Sequence, residues 1–204
     1  HERASSVNTA GKKLMLANGA SLSYDRLVLS PGIDIKYDSV DGYSAEAQSK
    51  MPHAWKSGTQ VQLLKAQVEN MKEGGTYVMV APPNPYRCPP GPYERVSMIA
   101  HILKQKNPTA KIIVLDPKEK FSKQGLFTGA WKKLYGYGTD NSMISWVSGA
   151  EGGKVTGIDA ATKTAMGDVE EFQFDVLNVI PPQVAGKVAS ASGLTNDDGW
   201  CPVD

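Results

Sequence analysis

The chain has 204 residues, with 22 Lys and Arg against 21 Asp and Glu, a formal net charge of +1. That balance excludes a nucleic-acid binder held by a basic stripe, and 41% apolar residues exclude a disordered or fibrous chain. Two cysteines are too few for a disulfide-scaffolded miniprotein or a four-cysteine zinc site. No run reaches the roughly eighteen apolar residues of a membrane helix. The opening at His1-Glu2 carries neither Met nor a secretory leader, and the end follows an apolar Trp200-Cys201-Pro202-Val203. Both ends read as cut, so an internal piece of a longer protein is expected.

In chain order, residues 12–17 and 21–24 flank Asn18-Gly19, the signal of a tight hairpin. Arg26-Leu27-Val28-Leu29-Ser30 is an apolar run stopped by Pro31-Gly32 and predicts a buried strand. Residues 36–58 are mixed and rich in turn formers, a crossover. Val61, Leu64, Val68 and Met71 share one face of a helix over 60–72, which Gly74-Gly75 ends. Thr76–Ala81 predicts a strand. Six of the 13 prolines then fall between Pro82 and Pro92. Tyr93, Val96, Ala100 and Leu103 mark a helix closed by Asn107-Pro108, and Lys111–Asp116 a second buried strand. Strand, proline loop, helix, strand is one βαβ unit, for which parallel pairing of 77–81 with 111–115 is expected. A helix near 123–135 and a strand at 143–147 extend the pattern. Three alternating runs near 154–157, 162–166 and 170–174 predict a meander. Asp175–Ile180 is a last buried strand stopped by Pro181-Pro182, and a short helix is expected near 184–192. The fold class is therefore α/β, a parallel nucleotide-binding-type sheet with an added three-stranded meander.

The turn after the first strand of such a unit is where dinucleotide-binding folds carry Gly-x-Gly-x-x-Gly. Here the turn is Ala81 to Pro92, and proline offers no amide hydrogen to a phosphate. Asp116 stands where a ribose-binding acid would, but without the glycines it reads as a strand-end turn residue. The loop presents Cys88 instead, just ahead of a helix that starts near Pro92, at the carboxyl end of the sheet. The helix dipole, Arg87 and Arg95 are features that favour thiolate over thiol, against the ordinary reading of cysteine as a small buried hydrophobe. Glu94, in the first helical turn, is either a dipole stabiliser or a proton-handling group beside Cys88. Cys201 reads as a packed thiol, and no bond between it and Cys88 is expected. His1, His53 and His101 make no zinc set, so no metal is expected, and there is neither a Gly-x-Ser-x-Gly elbow nor a P-loop.

Tyr24 to Gly32 resembles the strand and turn closing the first half of a flavin domain in two-dinucleotide-domain flavoproteins. Pro85-Tyr86-Arg87-Cys88-Pro89-Pro90-Gly91-Pro92-Tyr93-Glu94-Arg95 is more specific and resembles the active-cysteine loop of the flavoprotein subunit of flavocytochrome c sulfide dehydrogenase. Pro52 to Lys56, Lys133 to Gly136, Val179 to Gln183, Gly193 to Asp197 and Gly199 to Asp204 are similar to the same family, so the resemblance runs end to end.

The resemblance implies a periplasmic heterodimer. Its flavoprotein has a glutathione-reductase-like fold, binds FAD, oxidises sulfide, and passes electrons to a cytochrome c subunit, with no nucleic acid and no membrane span involved. It implies that Cys88 is one of two flavin-side cysteines that receive the sulfur, with hydrosulfide attacking their disulfide; Cys201 does not match the second. It also implies flavin contacts at Ser30, Pro31 and Gly32. The family's phosphate-gripping glycines and second cysteine are not in the sequence. The implied division is 1–37, the tail of the first flavin half; 38–182, a degenerate pyridine-nucleotide-like domain; and 183–204, the return to the flavin domain. On this division the parent is an FAD enzyme and the piece alone is inactive. A sulfide:quinone oxidoreductase and a non-catalytic nucleotide-fold scaffold are the competing readings.

Overall fold

The computed structural model describes residues 1–203. It divides into two compact units, residues 1–36 with the chain from 183 onward, and residues 37–182.

In the first unit β1 (Ala4–Asn8), β2 (Lys13–Leu16) and β3 (Ser21–Ser23) form an antiparallel meander. Asn18-Gly19 turns the predicted hairpin, with Gly19 at φ +86° and its amide donating to Leu16 O at 3.0 Å. β4 (Ile33–Ile35) follows. The strand expected over Arg26–Ser30 does not form, and Val28 stands 89% exposed. An apolar run becomes a strand only where another strand offers an edge, and no described strand pairs with this one.

The second unit begins with turns and a short 3-10 segment at Ala47–Ser49. α1 (Thr59–Glu69), β5 (Thr76–Val80), α2 (Gly91–Lys106), β6 (Lys111–Leu115), α3 (Gln124–Tyr135) and β7 (Ile144–Val147) come next. β8 (Val155–Asp159), β9 (Thr164–Gly167) and β10 (Glu171–Gln173) form the expected antiparallel meander, and β11 (Val176–Val179) completes a four-stranded sheet of order β11-β5-β6-β7. Every pairing in that sheet is parallel, with Tyr77 opposite Ile112 and Val80 opposite Leu115. The parallel βαβ unit is present as the sequence predicts.

Strand alternation decides what each face meets. Val78 and Val80 of β5 join Leu115, Leu177 and Val179 in a core that the meander closes with Val155, Ile158, Ala165, Phe172 and Phe174. Tyr77 and Met79 point to the other face and are fully buried. α2 carries Pro at its second position, Glu94 in its first turn and Lys104 and Lys106 in its last, each the arrangement the helix dipole favours. It buries Tyr93, Val96, Ala100 and Leu103, the predicted stripe.

Back in the first unit, the helix expected over 184–192 splits. β12 (Gln183–Ala185) pairs antiparallel with β4, and α4 (Lys187–Ala191) begins only at Lys187. A β-carbon on Gly186 would stand 2.8 Å from Pro31 O, so only glycine lets the chain turn there against the Ser30–Gly32 loop.

Candidate functional site

The loop leaving the carboxyl end of β5 brings Cys88 to the foot of α2, as expected. Cys88 is exposed, is a free thiol, and holds φ +61°. A left-handed conformation costs a residue with a side chain about 1–2 kcal/mol, so its surroundings must impose it. Gly91 N donates to Cys88 O at 2.8 Å, and Tyr86 Oη donates to Pro89 O at 2.7 Å. Burial pushes the Tyr86 phenol up to about 12, which keeps it a donor.

Cys88, Glu94, Arg87 and Arg95 line one end of a groove of ≈570 Å³ between α1 and α2. Its walls are Trp55, Val61, Leu64, Val68, Met98, Ile99 and Ile102. Glu94 is exposed at its edge. Ser30, Pro31 and Gly32 lie in the other unit, in an exposed turn where Gly32 has φ +73° and its carbonyl accepts from Gly186 N at 2.9 Å. Cys201 is a half-buried free thiol of that unit. His101 is exposed, 3.1 Å from Gln105 Nε2. No group of three or more His, Cys, Asp or Glu among the described residues could hold a metal.

The arginines do more than flank the thiol. Arg95 Nη1 donates to His53 O and to Asn178 Oδ1, both at 2.9 Å, Arg95 Nη2 donates to Ala54 O, and Arg87 Nη2 donates to Trp55 O. Asn178 Nδ2 donates to Pro52 O at 2.6 Å and His53 O at 3.0 Å. Four successive carbonyls of a buried, irregular segment are thus satisfied by side chains, the requirement for any backbone withdrawn from water. The sequence carries Pro52 to Lys56 only as a family match; nothing local marks Trp55 as a wall of the groove.

His53 is 2% exposed, and its Nδ1 accepts from Trp55 N at 2.8 Å. Burial, helped by the Arg95 and Lys56 charges, lowers its pKa from 6.5 to about 4. Between those values the unfolded chain binds a proton that the folded chain refuses. The His53 contribution is therefore complete above pH 6.5 and is lost as pH falls towards 4, a loss of about 2–3 kcal/mol by pH 4.5. Urea midpoints between pH 7 and 4.5 are expected to fall less steeply for His53→Gln than for the parent chain. Equal slopes would remove His53 as the cause.

Asp116 departs furthest from its sequence reading. It does cap a turn, accepting from Lys118 N at 3.1 Å, but it is fully buried. It also accepts from Tyr93 Oη at 2.5 Å and Trp146 Nε1 at 3.0 Å, and pairs with Lys118 Nζ at 2.7 Å. Both carboxylate oxygens are engaged, so a ribose finds no acceptor there. With prolines in place of amides in the preceding loop, this edge of the sheet does not fit a dinucleotide.

A family model described as the sulfide dehydrogenase [flavocytochrome c] flavoprotein chain, central, matches residues 61–181, more than half of the chain. The chain belongs to this family. Among solved structures, the sulfide:quinone oxidoreductase of the hyperthermophilic bacterium Aquifex aeolicus is similar with a TM-score of 0.66 at 17% identity, covering 97% of this chain and 46% of that one. Putidaredoxin reductase, in its covalent complex with putidaredoxin, gives 0.64 at 15%, covering 97% and 44%. The ferredoxin reductase of the CYP199A2 system of Rhodopseudomonas palustris gives 0.63 at 15%, again covering 97% and 44%. The family is one of flavoproteins, and these three neighbours are oxidoreductases that share the α/β fold. The chain spans about half the length of the solved structures it matches.

Proposed function

We propose that this chain is the central part of the flavoprotein of a periplasmic, flavin-linked sulfide dehydrogenase, which oxidises sulfide through a cysteine pair and FAD and passes electrons to a cytochrome c subunit. The observation that carries the reading is Cys88, an exposed thiol held at φ +61° at the foot of α2 and the end of the groove.

The step assigned to Cys88 is thiol–disulfide exchange. Hydrosulfide attacks the disulfide joining Cys88 to a second cysteine of the full-length protein. That S–S bond breaks, a new one forms between the hydrosulfide sulfur and Cys88 Sγ, and the second cysteine leaves as a thiolate. The proton remains on the terminal sulfur, where Glu94, at the same end of the groove, is the group to take it.

The family's FAD does not fit the described residues as a whole. The Ser30–Gly32 turn is a short exposed segment, and the β5–α2 loop has prolines where a pyrophosphate needs amides. The chemistry derived for this chain therefore stops at the sulfur exchange.

In the full-length protein, Cys88→Ser is expected to lower sulfide-dependent cytochrome c reduction roughly a thousandfold or more, the scale of losing a covalent nucleophile. Reduction of a quinone but not of cytochrome c would reassign the acceptor. Unchanged sulfide turnover in the serine variant would remove Cys88 from the reaction. The 204-residue chain alone, incubated with FAD and desalted, is expected to show no flavin spectrum and no sulfide oxidation.

A further inference from the structure

We propose that Trp55 is a positioning residue for Cys88, its indole holding Sγ in the one direction that opens along the α1–α2 groove. The inference rests on the reading of Cys88 as the residue that receives sulfur.

Gly91, the first residue of α2, locates the contact. A β-carbon there would stand 2.7 Å from Trp55 Cη2 and 3.1 Å from Cys88 Sγ. The rim of the indole and the sulfur therefore both border the space where a Gly91 side chain would begin, and no residue but glycine leaves room for both. An exposed cysteine ordinarily samples three staggered rotamers. The indole rim and Gly91, the start of α2, crowd the space beside the sulfur, and on this proposal they restrict that choice.

The indole is itself held over its ring face and through its own backbone. The Arg95 guanidinium carbon lies 5.1 Å from the ring centroid, and the same guanidinium holds the carbonyls of His53 and Ala54. Trp55 N is held by His53 Nδ1, and Trp55 O by Arg87, the neighbour of Cys88 in sequence. Ala54 sits at φ +46° and Cys88 at φ +61°, so the residue before Trp55 and the cysteine itself, 34 positions apart, both hold strained backbone at this groove.

The ring is also held there at a cost. Trp55 Nε1 is buried with no hydrogen-bond partner among the described residues, an unmade bond that works against stability. A phenyl ring in the same place would avoid that cost. The indole's reach towards Gly91 and Cys88 is what a smaller ring would shorten.

The test uses the reduced full-length protein with Trp55→Leu, Trp55→Phe, Gly91→Ala and the Gly91→Ala/Trp55→Phe double variant. Two quantities are read: the rate at which iodoacetamide alkylates Cys88, followed on the Cys88 peptide by mass spectrometry, and kcat and KM for sulfide. Trp55→Leu removes the wall. Alkylation by the small reagent is expected to rise about 3–10-fold while kcat falls about 100-fold at little-changed KM, the scale set by misplacing a reacting atom by about 1 Å. Trp55→Phe keeps a ring and is expected to shift both by less than either Trp55→Leu or Gly91→Ala. Gly91→Ala drives its β-carbon into indole and sulfur together, and the phenyl ring of the double variant relieves the first clash, so alkylation in the double variant is expected to return towards the parent rate. Alkylation rates within about twofold of the parent in both Trp55→Leu and Gly91→Ala would overturn the proposal. So would rates that simply follow the folded fraction measured by circular dichroism. If alkylation shifts as expected but the parent protein oxidises no sulfide, the positioning stands and the sulfide reading fails. If Trp55→Leu does not fold, Gly91→Ala and its double variant decide.

Discussion

Asp116→Asn is expected to lower the unfolding free energy by about 3–5 kcal/mol, the cost of removing one partner from a buried ion pair. Lys118 is the reason. Its ammonium pairs with Asp116 Oδ1 at 2.7 Å, donates to Pro82 O at 2.5 Å and lies 5.1 Å from the centre of the Tyr86 ring, with only 9% of the side chain exposed. Burial already lowers the Lys118 pKa against the opposing pull of Asp116, so an amide at position 116 leaves a cation with too little compensation. Asn also supplies one acceptor oxygen where Tyr93 Oη and Trp146 Nε1 now share Oδ2 and the Lys118 groups share Oδ1. The Tyr93–Phe121 stack, with centroids 3.7 Å apart, and the edge contact of Phe121 with Trp146 at 5.2 Å leave little room for rescuing water. Adding Lys118→Met removes the orphaned charge and is expected to recover at least half of the loss. Urea unfolding at unchanged slope measures both. A loss below about 1 kcal/mol would show that the pair is not a structural unit.

That hub was not legible in the sequence, although its parts were. Asp116 ends an apolar run before Pro117, which says turn and nothing more. Its partners come from α2, from β7 and from the loop after β6, and only the parallel register brings those three together. By contrast β5, α2 and β6 were readable because each is continuous and punctuated, by Gly74-Gly75, by the prolines and by Asn107-Pro108. Signals of period two and 3.6 are local. β4 and β12 are three residues each and about 150 residues apart in the chain, too short for a period and too distant for a turn signal. Arg26–Ser30 fails for the opposite reason: its apolar run and its stop are readable, but the edge it would need is not supplied by any described strand.

The site divides the same way. Cys88 could be picked out because a cysteine among prolines at a helix start is a local pattern. Trp55 could not, since its place beside Cys88 depends on Arg95 reaching 40 residues back along the chain. The two arginines were expected to act on the sulfur. They line the same groove as the sulfur, but the hydrogen bonds found for them go to carbonyls, because a buried segment without helix or strand has no other donors to satisfy it.

Arg95→Met is therefore expected to cost about 2–4 kcal/mol and to loosen the groove wall. Three charge-assisted bonds disappear, each worth about 1.5–3 kcal/mol. Part of that is offset, because the guanidinium is itself withdrawn from water, and burial lowers its pKa. Among the described residues no carboxylate pairs with it; carbonyl oxygens and Asn178 Oδ1 receive its protons instead. His53 O keeps Asn178 Nδ2 as a donor in the variant, whereas Ala54 O keeps none of its present bonds. The damage should therefore concentrate at Ala54, whose φ of +46° the bond helps to hold. Arg95→Lys restores the charge but not the fork, since one ammonium cannot reproduce two donor nitrogens held in a plane. It is expected to recover less than half of the lost stability. Amide exchange at Trp55, whose N–H is held by His53 Nδ1, reports the local opening: faster exchange in both variants, by more than global stability alone accounts for, is the expected result. Exchange at Trp55 that merely tracks the urea midpoint would show that Arg95 stabilises the fold without fixing this segment.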